Sequence, residues 1–249
     1  MTTPQLVDIA IQNLREFEPP EGYYLAFSGG KDSCVIKTLA DMAGVKYDAH
    51  YSVTTIDPPD LVRFIKQYHK DVIFERPEMP LLKKLETKGF PIRQGRWCCE
   101  LYKENGGDGR MVITGIRAQE SSRRAKRRMV EICYKGTGKR YLNIIHDWTE
   151  LDVWDFIKSN HIPYCSLYDE GWKRIGCLCC PMATTKQRIM HLKKYPGYER
   201  LFRKSFERLY TNRVQAGKES VKRWKDGNAM FDWWIGIENG EPDQKVLFD

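Results

Sequence analysis

The sequence has no apolar run long enough to cross a membrane, since no stretch approaches 18 consecutive apolar residues. Its first residues, Met1-Thr2-Thr3-Pro4-Gln5, lack the basic region followed by an apolar one that marks a secretory signal. It also shows no internal repeat and no low-complexity tract, which argues against a repeat architecture. We therefore expect a cytoplasmic globular protein with no membrane partner.

Composition narrows the class of protein further. The 249 residues are 41% hydrophobic, enough for one large domain, or one domain with a small appendage. The net charge of +8 favours an anionic partner, either a nucleotide or a nucleic acid, without choosing between them. Eight cysteines in a cytosolic chain of this size indicate metal or redox use rather than a disulfide framework.

One short stretch near the start of the chain has the pattern of a strand, a tight loop and a helix. The apolar run Tyr23–Phe27 is followed by Ser28-Gly29-Gly30-Lys31-Asp32-Ser33, and apolar residues then recur at helical spacing at Val35, Leu39 and Met42. The glycines lack Cβ atoms that would keep a ligand from the backbone, and N–H groups at a helix N-terminus bind anions. With one lysine and two hydroxyls added, the loop is predicted to bind phosphate.

The loop lacks the first glycine of a Walker A motif, because that position is occupied by Leu25. A Walker loop serves transfer of the γ-phosphoryl group. The sequence Ser28-Gly29-Gly30-Lys31-Asp32-Ser33 instead resembles the PP-loop of the ATP pyrophosphatase superfamily. That resemblance implies that these six residues hold the pyrophosphate end of ATP, with Mg²⁺ across the phosphates and chemistry at the α-phosphorus. It also implies catalytic roles for Lys31 and Asp32.

Alternating strands and helices predict an α/β fold, with a parallel five-stranded sheet and helices on both faces, as in the adenine nucleotide alpha hydrolase-like proteins. The strands are predicted at Tyr23–Phe27, Lys46–Val53, Val72–Phe74, Met111–Thr114 and Tyr141–Ile145. Ligands of such sheets bind beyond the carboxyl ends of the strands, where Thr54 and Gly115-Ile116-Arg117 also fall. We predict a nucleotide-binding domain over residues 1–182. A basic helical extension over residues 183–249 is expected to pack on it.

Four cysteines have the spacing of a metal or cluster site. Cys177 and Cys180 form a C-x-x-C motif, and the adjacent pair Cys98-Cys99 could complete a four-sulfur shell. Four thiolates suit either an iron–sulfur cluster or zinc. Cys179, between the two motif cysteines, is either a spare thiol or a sulfur carrier.

The arrangement of these cysteines resembles the [4Fe-4S] signature of the adenylyl-sulfate reductase branch of the phosphoadenosine-phosphosulfate (PAPS) reductase family. The resemblance covers about residues 20–182 and implies a [4Fe-4S] cluster on Cys98, Cys99, Cys177 and Cys180, with zinc as the alternative. Thr114-Gly115-Ile116-Arg117 and Glu120-Ser121-Ser122-Arg123 resemble the Gly-x-Arg segment of that family. The resemblance implies that Gly115, Arg117 and Arg123 bind the nucleotide, and that Arg117 takes part in catalysis.

Two features depart from the reductases. No cysteine follows Cys180, whereas the reductases carry a catalytic one in a Glu-Cys-Gly-(Leu/Ile)-His motif. The loop Ser28–Ser33 is intact, as in relatives that bind ATP, while the reductases tend to have degenerate versions. This combination resembles the ATP pyrophosphatase component of DNA phosphorothioation systems.

We therefore predict an ATP-binding enzyme of sulfur transfer that forms AMP and pyrophosphate and carries a [4Fe-4S] cluster. One alternative is a sulfonucleotide reductase that releases sulfite. Another is a non-catalytic nucleotide- and cluster-binding subunit of a larger complex.

The expected partners follow from the same features. They are an adenine nucleotide, a nucleic-acid substrate, a sulfur donor protein of the cysteine desulfurase or thioredoxin type, and a second copy of the chain in a homo-oligomer. The stretch Arg123–Arg128, with five basic residues in six, either tracks a nucleic-acid backbone or is a solvated loop.

Overall fold

The computed structural model describes residues 2–237. Contacts divide them into two compact units. Unit 1 contains the described residues up to Ser52, Pro59–Glu75 and Asn105–Ile175, and unit 2 contains Val53–Pro58, Arg76–Glu104 and the described residues from Gly176 onward. The predicted boundary at residue 182 does not coincide with this division. The part of the predicted extension beyond residue 237 lies outside the described residues.

Unit 1 contains a six-stranded sheet with the order β3-β2-β1-β4-β6-β5. Its strands are β1 (Tyr23–Ala26), β2 (Tyr47–Ser52), β3 (Ile73–Glu75), β4 (Met111–Ile113), β5 (Val130–Ile132) and β6 (Arg140–Leu142). All neighbouring strands are parallel except β5, which pairs antiparallel with β6. The predicted α/β fold is confirmed, but the predicted count of five strands was wrong by one. A three-residue strand beside a basic run has too little alternation to be recognised.

The sheet is accompanied by the helices α1 (Thr3–Glu16), α2 (Lys31–Ala43), α3 (Pro59–Tyr68), α6 (Ser122–Ala125) and α7 (Glu150–Ser159). Helices α1, α2 and α7 pack on one another. The hydroxyl of Tyr23 in β1 donates to the carbonyl of Leu14 in α1 over 2.8 Å. At the start of α7 the Thr149 hydroxyl accepts the Asp152 N–H over 3.2 Å, as in the capping box that the sequence Thr149-Glu150-Leu151-Asp152 favours.

Unit 2 is helical in its described part. Its helices are α4 (Leu81–Lys88), α5 (Trp97–Tyr102), α8 (Thr185–Lys194), α9 (Pro196–Gln215) and α10 (Gly227–Ile235). Its core is rich in aromatic side chains, among which Phe202, Phe206, Phe231 and Trp234 are fully buried. Helix α10 starts close to α9, and only glycine at position 227 permits this approach. A Cβ atom on Gly227 would lie 2.4 Å from the Cα atom of Glu207. No periodic pattern of apolar residues predicted the position of this last helix.

None of the helices between residues 2 and 237 combines the length and the hydrophobicity that a membrane span needs.

A buried histidine that follows α3 should make the stability of the folded protein sensitive to acid. His69 lies against the rings of Phe27 and Phe64, and burial lowers its pKa to about 4. The folded protein therefore keeps the ring neutral while the unfolded chain takes up a proton below about pH 6.5, so stability falls as the pH drops towards 4.

We expect the free energy of unfolding, measured with urea, to be lower at pH 5 than at pH 7 by up to about 2 kcal/mol because of His69. The substitution His69→Gln should flatten the pH dependence by that amount. The buried His191 of unit 2, whose pKa burial also lowers to about 4, keeps its own contribution. An unchanged pH dependence in the variant would contradict this assignment.

Candidate functional site

The loop between β1 and α2 has a backbone that only glycine fits at Gly29. This residue has φ +70°, in the left-handed region. A Cβ atom at this position would lie 2.7 Å from a methyl carbon of Leu61 and 2.8 Å from side-chain carbons of Ile65, both on α3. The absence of a side chain therefore allows the loop to turn tightly into α2 while packing against a neighbouring helix.

Polar groups of the loop converge at the N-terminus of α2. The Lys31 N–H donates to the Tyr168 hydroxyl over 2.9 Å, and the Ser33 hydroxyl donates to the Gly30 carbonyl over 2.8 Å. The Ser28 hydroxyl lies 3.2 Å from that of Ser33. An N–H donor, two hydroxyls and the positive end of the helix dipole thus lie together, as anion binding requires.

The three predicted catalytic residues lie next to one another in unit 1. Lys31 is buried, and its Nζ lies 3.7 Å from Asp32 Oδ2. The second oxygen of Asp32 accepts from Arg117 Nε over 2.6 Å, and Arg117 is only 3% exposed. Asp32 therefore links the cation of the loop to the cation that follows β4.

Close approach of the two segments depends on Gly115. A Cβ atom at this position would lie 3.2 Å from backbone atoms of Asp32. Gly115 thus lets the end of β4 lie against the first turn of α2, which brings Arg117 to the loop. This agrees with the predicted proximity of the two segments at the carboxyl edge of the sheet.

Two further residues, Arg123 and Thr54, were predicted to bind the nucleotide. Arg123 is on the short helix α6, with an exposed side chain. Thr54 belongs to unit 2, where its N–H and hydroxyl both donate to the Asp57 carboxylate, over 2.8 Å and 2.7 Å. This pairing gives Thr54 a local structural role, and its predicted contact with a nucleotide stays a prediction.

Two residues of the loop environment were not predicted. The Tyr168 hydroxyl accepts the Lys31 N–H, and Lys31 Nζ lies 5.5 Å from the centre of the Tyr168 ring. Glu150 Oε1 lies 3.6 Å from the same Nζ. The capping box at Thr149 located the start of α7, but nothing local in the sequence indicates that the next residue faces Lys31.

The four predicted cysteine ligands line one cavity in unit 2. The cavity contains about 460 Å³ of empty space, part of it open to solvent. Besides Cys98, Cys99, Cys177 and Cys180, its walls are mainly apolar, with Lys103 as the charged exception. The other lining residues are Thr54, Ile56, Leu81, Leu85, Pro91, Cys179, Pro181, Phe202 and Trp234.

The thiols of the adjacent pair differ in acidity. A hydrogen bond between them lowers the pKa of Cys99 to about 6 and raises that of Cys98. The guanidinium of Arg96, 3.7 Å from the Cys99 sulfur, also favours the Cys99 thiolate. Cys177 and Cys180 lie close enough to Cys98 to raise its pKa further by charge repulsion.

The Cys177–Cys180 loop is fixed by a buried cation. Arg188 of α8 donates to the carbonyls of Cys180 and Pro181 over 3.2 Å and 2.7 Å, and to that of Trp234 over 2.7 Å. The Cys179 N–H donates to Nδ1 of His191 over 3.2 Å. Cys179 itself is 1% exposed and belongs to the apolar core of unit 2.

Within residues 2–237, no three His, Cys, Asp or Glu side chains have the arrangement of a ready metal site. The chemistry of the cavity nevertheless suits a four-thiolate group. Four cysteine sulfurs share one largely apolar space, and Lys103, whose pKa is raised by Cys177, supplies a compensating positive charge. The donor set therefore fits an iron–sulfur cluster or zinc.

Comparison with known proteins adds three findings. The family model for the phosphoadenosine phosphosulfate reductase domain matches residues 22–183. An uncharacterized protein of Methanocaldococcus jannaschii is 31% identical over 226 residues, covering 81% of this chain and 45% of the archaeal protein. An adenosine 5'-phosphosulfate reductase of Oceanobacillus iheyensis is 29% identical over 170 residues, covering 65% of this chain and 69% of that enzyme.

Among solved structures, the PAPS reductase of Candida auris in a phosphate complex has a TM-score of 0.54 and 17% identity. The match covers 70% of this chain and 93% of that one. This match supports the α/β fold of the chain. A second uncharacterized protein of Methanocaldococcus jannaschii is 32% identical over 186 residues. The chain spans less than half the length of each of these two archaeal relatives.

Proposed function

The chain belongs to the phosphoadenosine phosphosulfate reductase domain family, and on that premise we propose that it is an ATP-dependent enzyme of sulfur transfer that forms AMP and pyrophosphate. The observation that carries the proposal is the arrangement around Asp32, which joins Lys31 of the intact PP-loop to the buried Arg117. Two cations on either side of one carboxylate suit a substrate with two centres of negative charge.

The nucleotide is proposed to bind with its pyrophosphate end at the N-terminus of α2. The Ser28 and Ser33 hydroxyls and the Lys31 N–H would donate to phosphate oxygens, so the Tyr168 hydroxyl that now accepts this N–H must move or turn. Asp32, the carboxylate of the loop, would hold Mg²⁺, which would supply positive charge to offset the negative charge of the phosphates. Arg117 would then face the α-phosphate side.

The proposed reaction has two displacements. An oxygen of the acceptor attacks the α-phosphorus, a new P–O bond forms, and the bond to the β-phosphate oxygen breaks, so that pyrophosphate leaves. Sulfur at the oxidation level of hydrosulfide then attacks the activated carbon of the acceptor, and AMP departs with the original oxygen. Lys31 and the loop donors would stabilise the charge that develops on pyrophosphate, and Arg117 would hold the adenylylated intermediate.

Cys98, Cys99, Cys177 and Cys180 would hold a [4Fe-4S] cluster or zinc in unit 2. A cluster supplies redox chemistry or a site for binding sulfur, whereas zinc supplies only structure and thiolate activation. Iron and acid-labile sulfide in anaerobically purified protein would support the cluster. Zinc without either would support the alternative.

A second candidate function is sulfonucleotide reduction with release of sulfite. It is favoured by relatives named adenosine 5'-phosphosulfate reductase, such as the one in Oceanobacillus iheyensis. The intact PP-loop favours the first candidate, because a sulfonucleotide has no pyrophosphate for the Lys31 end of the site to hold.

The test is an anaerobic assay of two substrates. The protein is incubated with Mg²⁺, sulfide and ATP labelled at the α-phosphate, with and without bulk single-stranded nucleic acid as acceptor. In parallel it is incubated with adenylyl sulfate or PAPS and a thiol reductant. We expect labelled AMP and pyrophosphate from ATP, and no sulfite from the sulfonucleotides.

Sulfite release without AMP formation would overturn the first candidate in favour of the second. Nucleotide binding without turnover of any substrate would overturn both and would identify a nucleotide- and cluster-binding subunit.

A further inference from the structure

A basic hairpin lies at the edge of the sheet in unit 1. We use this name for residues 123–142, which include α6, β5 and β6. They contain eight Lys or Arg residues and one acidic residue, Glu131. This density of positive charge far exceeds that of the whole chain, so the charge is a local feature and not only a consequence of composition.

Part of this charge is neutralised within the unit and part faces solvent. Arg124 pairs with Glu120, Arg127 pairs with Glu131, and the buried Lys139 lies 2.9 Å from Asp108. Four other side chains are exposed and form the solvent-facing set: Arg123, Lys126, Arg128 and Arg140. The structural ion pairs therefore hold the hairpin in place and leave a separate set of cations available to a partner.

Hydrogen bonds connect the basic hairpin to the segment after β6 and to the segment that carries Arg117. The Asn143 side chain donates to the Arg128 carbonyl over 2.7 Å, and Nε2 of His146 lies 3.1 Å from the Arg124 carbonyl. The His146 carbonyl accepts the Ala118 N–H over 2.7 Å, next to Arg117. A chain of hydrogen bonds thus connects the exposed cations to the arginine that pairs with Asp32.

The tip of the hairpin adds an exposed aromatic ring. Ile132, the last residue of the edge strand β5, is 79% exposed. Tyr134, two residues further on, is 92% exposed. The turn that follows contains Gly136 and Gly138, both in the left-handed region. A ring with 92% of its surface exposed packs little against the described residues, and it can stack on an unpaired base.

We propose that the basic hairpin binds single-stranded nucleic acid and directs it to the nucleotide site as the acceptor. The exposed cations would contact phosphates, and Tyr134 would stack on a base. A duplex offers its phosphates but not its base faces, so the exposed ring favours a single strand. This inference rests on the proposed function, because it names the acceptor of the same reaction.

The test measures the anisotropy of a labelled single strand of about 20 nucleotides, in salt near 0.1 M, with a duplex of the same sequence in parallel. Two variants change the hairpin: the double substitution Lys126→Glu with Arg128→Glu, and Tyr134→Ala. The matched control, Arg200→Glu with Lys204→Glu, reverses two exposed cations of α9 in unit 2. ATP binding is measured separately for every variant.

We expect the charge reversal to weaken single-strand binding at least tenfold, and to flatten the slope of log K against log salt by about 1.4. Tyr134→Ala should weaken it about 5- to 100-fold, while the control changes it less than about twofold. ATP binding should stay unchanged throughout. Equal losses in hairpin and control variants, or duplex binding as tight as single-strand binding with no effect of Tyr134→Ala, would overturn the proposal.

These outcomes remain distinct from the test of the proposed function. Formation of AMP from ATP without hairpin-dependent binding would refute only the acceptor. If the wild-type protein bound the single strand but formed no AMP from ATP, only the proposed ATP-dependent reaction would be refuted.

Discussion

The substitution Lys31→Ala is expected to lower the rate of AMP and pyrophosphate formation by about 10²- to 10³-fold. Lys31 is the first residue of α2, and its ammonium group is buried between Asp32 and Glu150. A cation held in a site of low solvent access stabilises charge far better than one in water. Since pyrophosphate gains charge as it leaves, the loss should fall mainly on kcat.

The measurement is steady-state AMP formation at saturating ATP. The substitution Lys70→Ala removes an exposed lysine of the same unit and should leave the rate unchanged. ATP affinity should fall less than kcat, because the loop N–H and hydroxyl donors remain. A rise in KM with unchanged kcat would show that Lys31 only binds the nucleotide, and would contradict its role in stabilising the leaving group.

The phosphate loop could be predicted from the sequence because its determinants are local. Gly29, Lys31 and Ser33 lie in one strand-to-helix turn, and the positions of strand and helix fix their directions. Tyr168 and Glu150 contact the same lysine from distant parts of the chain. Their roles depend on the packing of α7 and of the Ser166–Tyr168 turn, which no local pattern encodes.

The cysteines illustrate a different limit. Their spacing predicted that four thiols lie together, and all four line one cavity. The prediction was possible because the two cysteines of a C-x-x-C motif are close in the sequence and can point to the same side of their loop. The residues that support them could not be predicted in the same way. Arg188 and His191 look like ordinary polar positions of a basic helix in the sequence, yet both are buried against the cysteine loop.

Short and irregular elements limited the prediction of the fold. The strand β5 has three residues, and its neighbouring arginines conceal the alternation of Val130 and Ile132. The division into units could not be predicted either, because segments 53–58 and 76–104 belong to the same unit as the C-terminal helices, far away in the sequence. Periodicity locates an element but does not show which core receives it.

The substitution Arg188→Met is expected to have the largest effect on stability. It removes hydrogen bonds to the carbonyls of Cys180, Pro181 and Trp234, in a site where Arg188 is 1% exposed. Each buried carbonyl left without its donor costs about 1–3 kcal/mol. After partial rearrangement, we expect a total loss of about 3–5 kcal/mol in the free energy of unfolding.

If the four cysteines hold a cluster or zinc as proposed, the same change should lower the metal content of the protein. Without the guanidinium, the backbone at Cys180 and Pro181 is free to move, so Cys180 no longer has a fixed position relative to the other thiols. We expect iron and sulfide, or zinc, to fall several-fold in protein that still folds at low temperature. Unfolding by urea and metal analysis of the same preparations provide two independent readouts.

Two further variants separate the hydrogen-bond geometry from the charge. Arg188→Lys retains the cation but lacks the planar fork of donors, so its losses should lie between those of wild type and Arg188→Met. Lys186→Met removes an exposed cation from the same helix and should change stability by less than about 0.5 kcal/mol. If Arg188→Lys matched wild type in both readouts, charge alone would suffice. The carbonyl contacts would then not be what positions the cysteine loop.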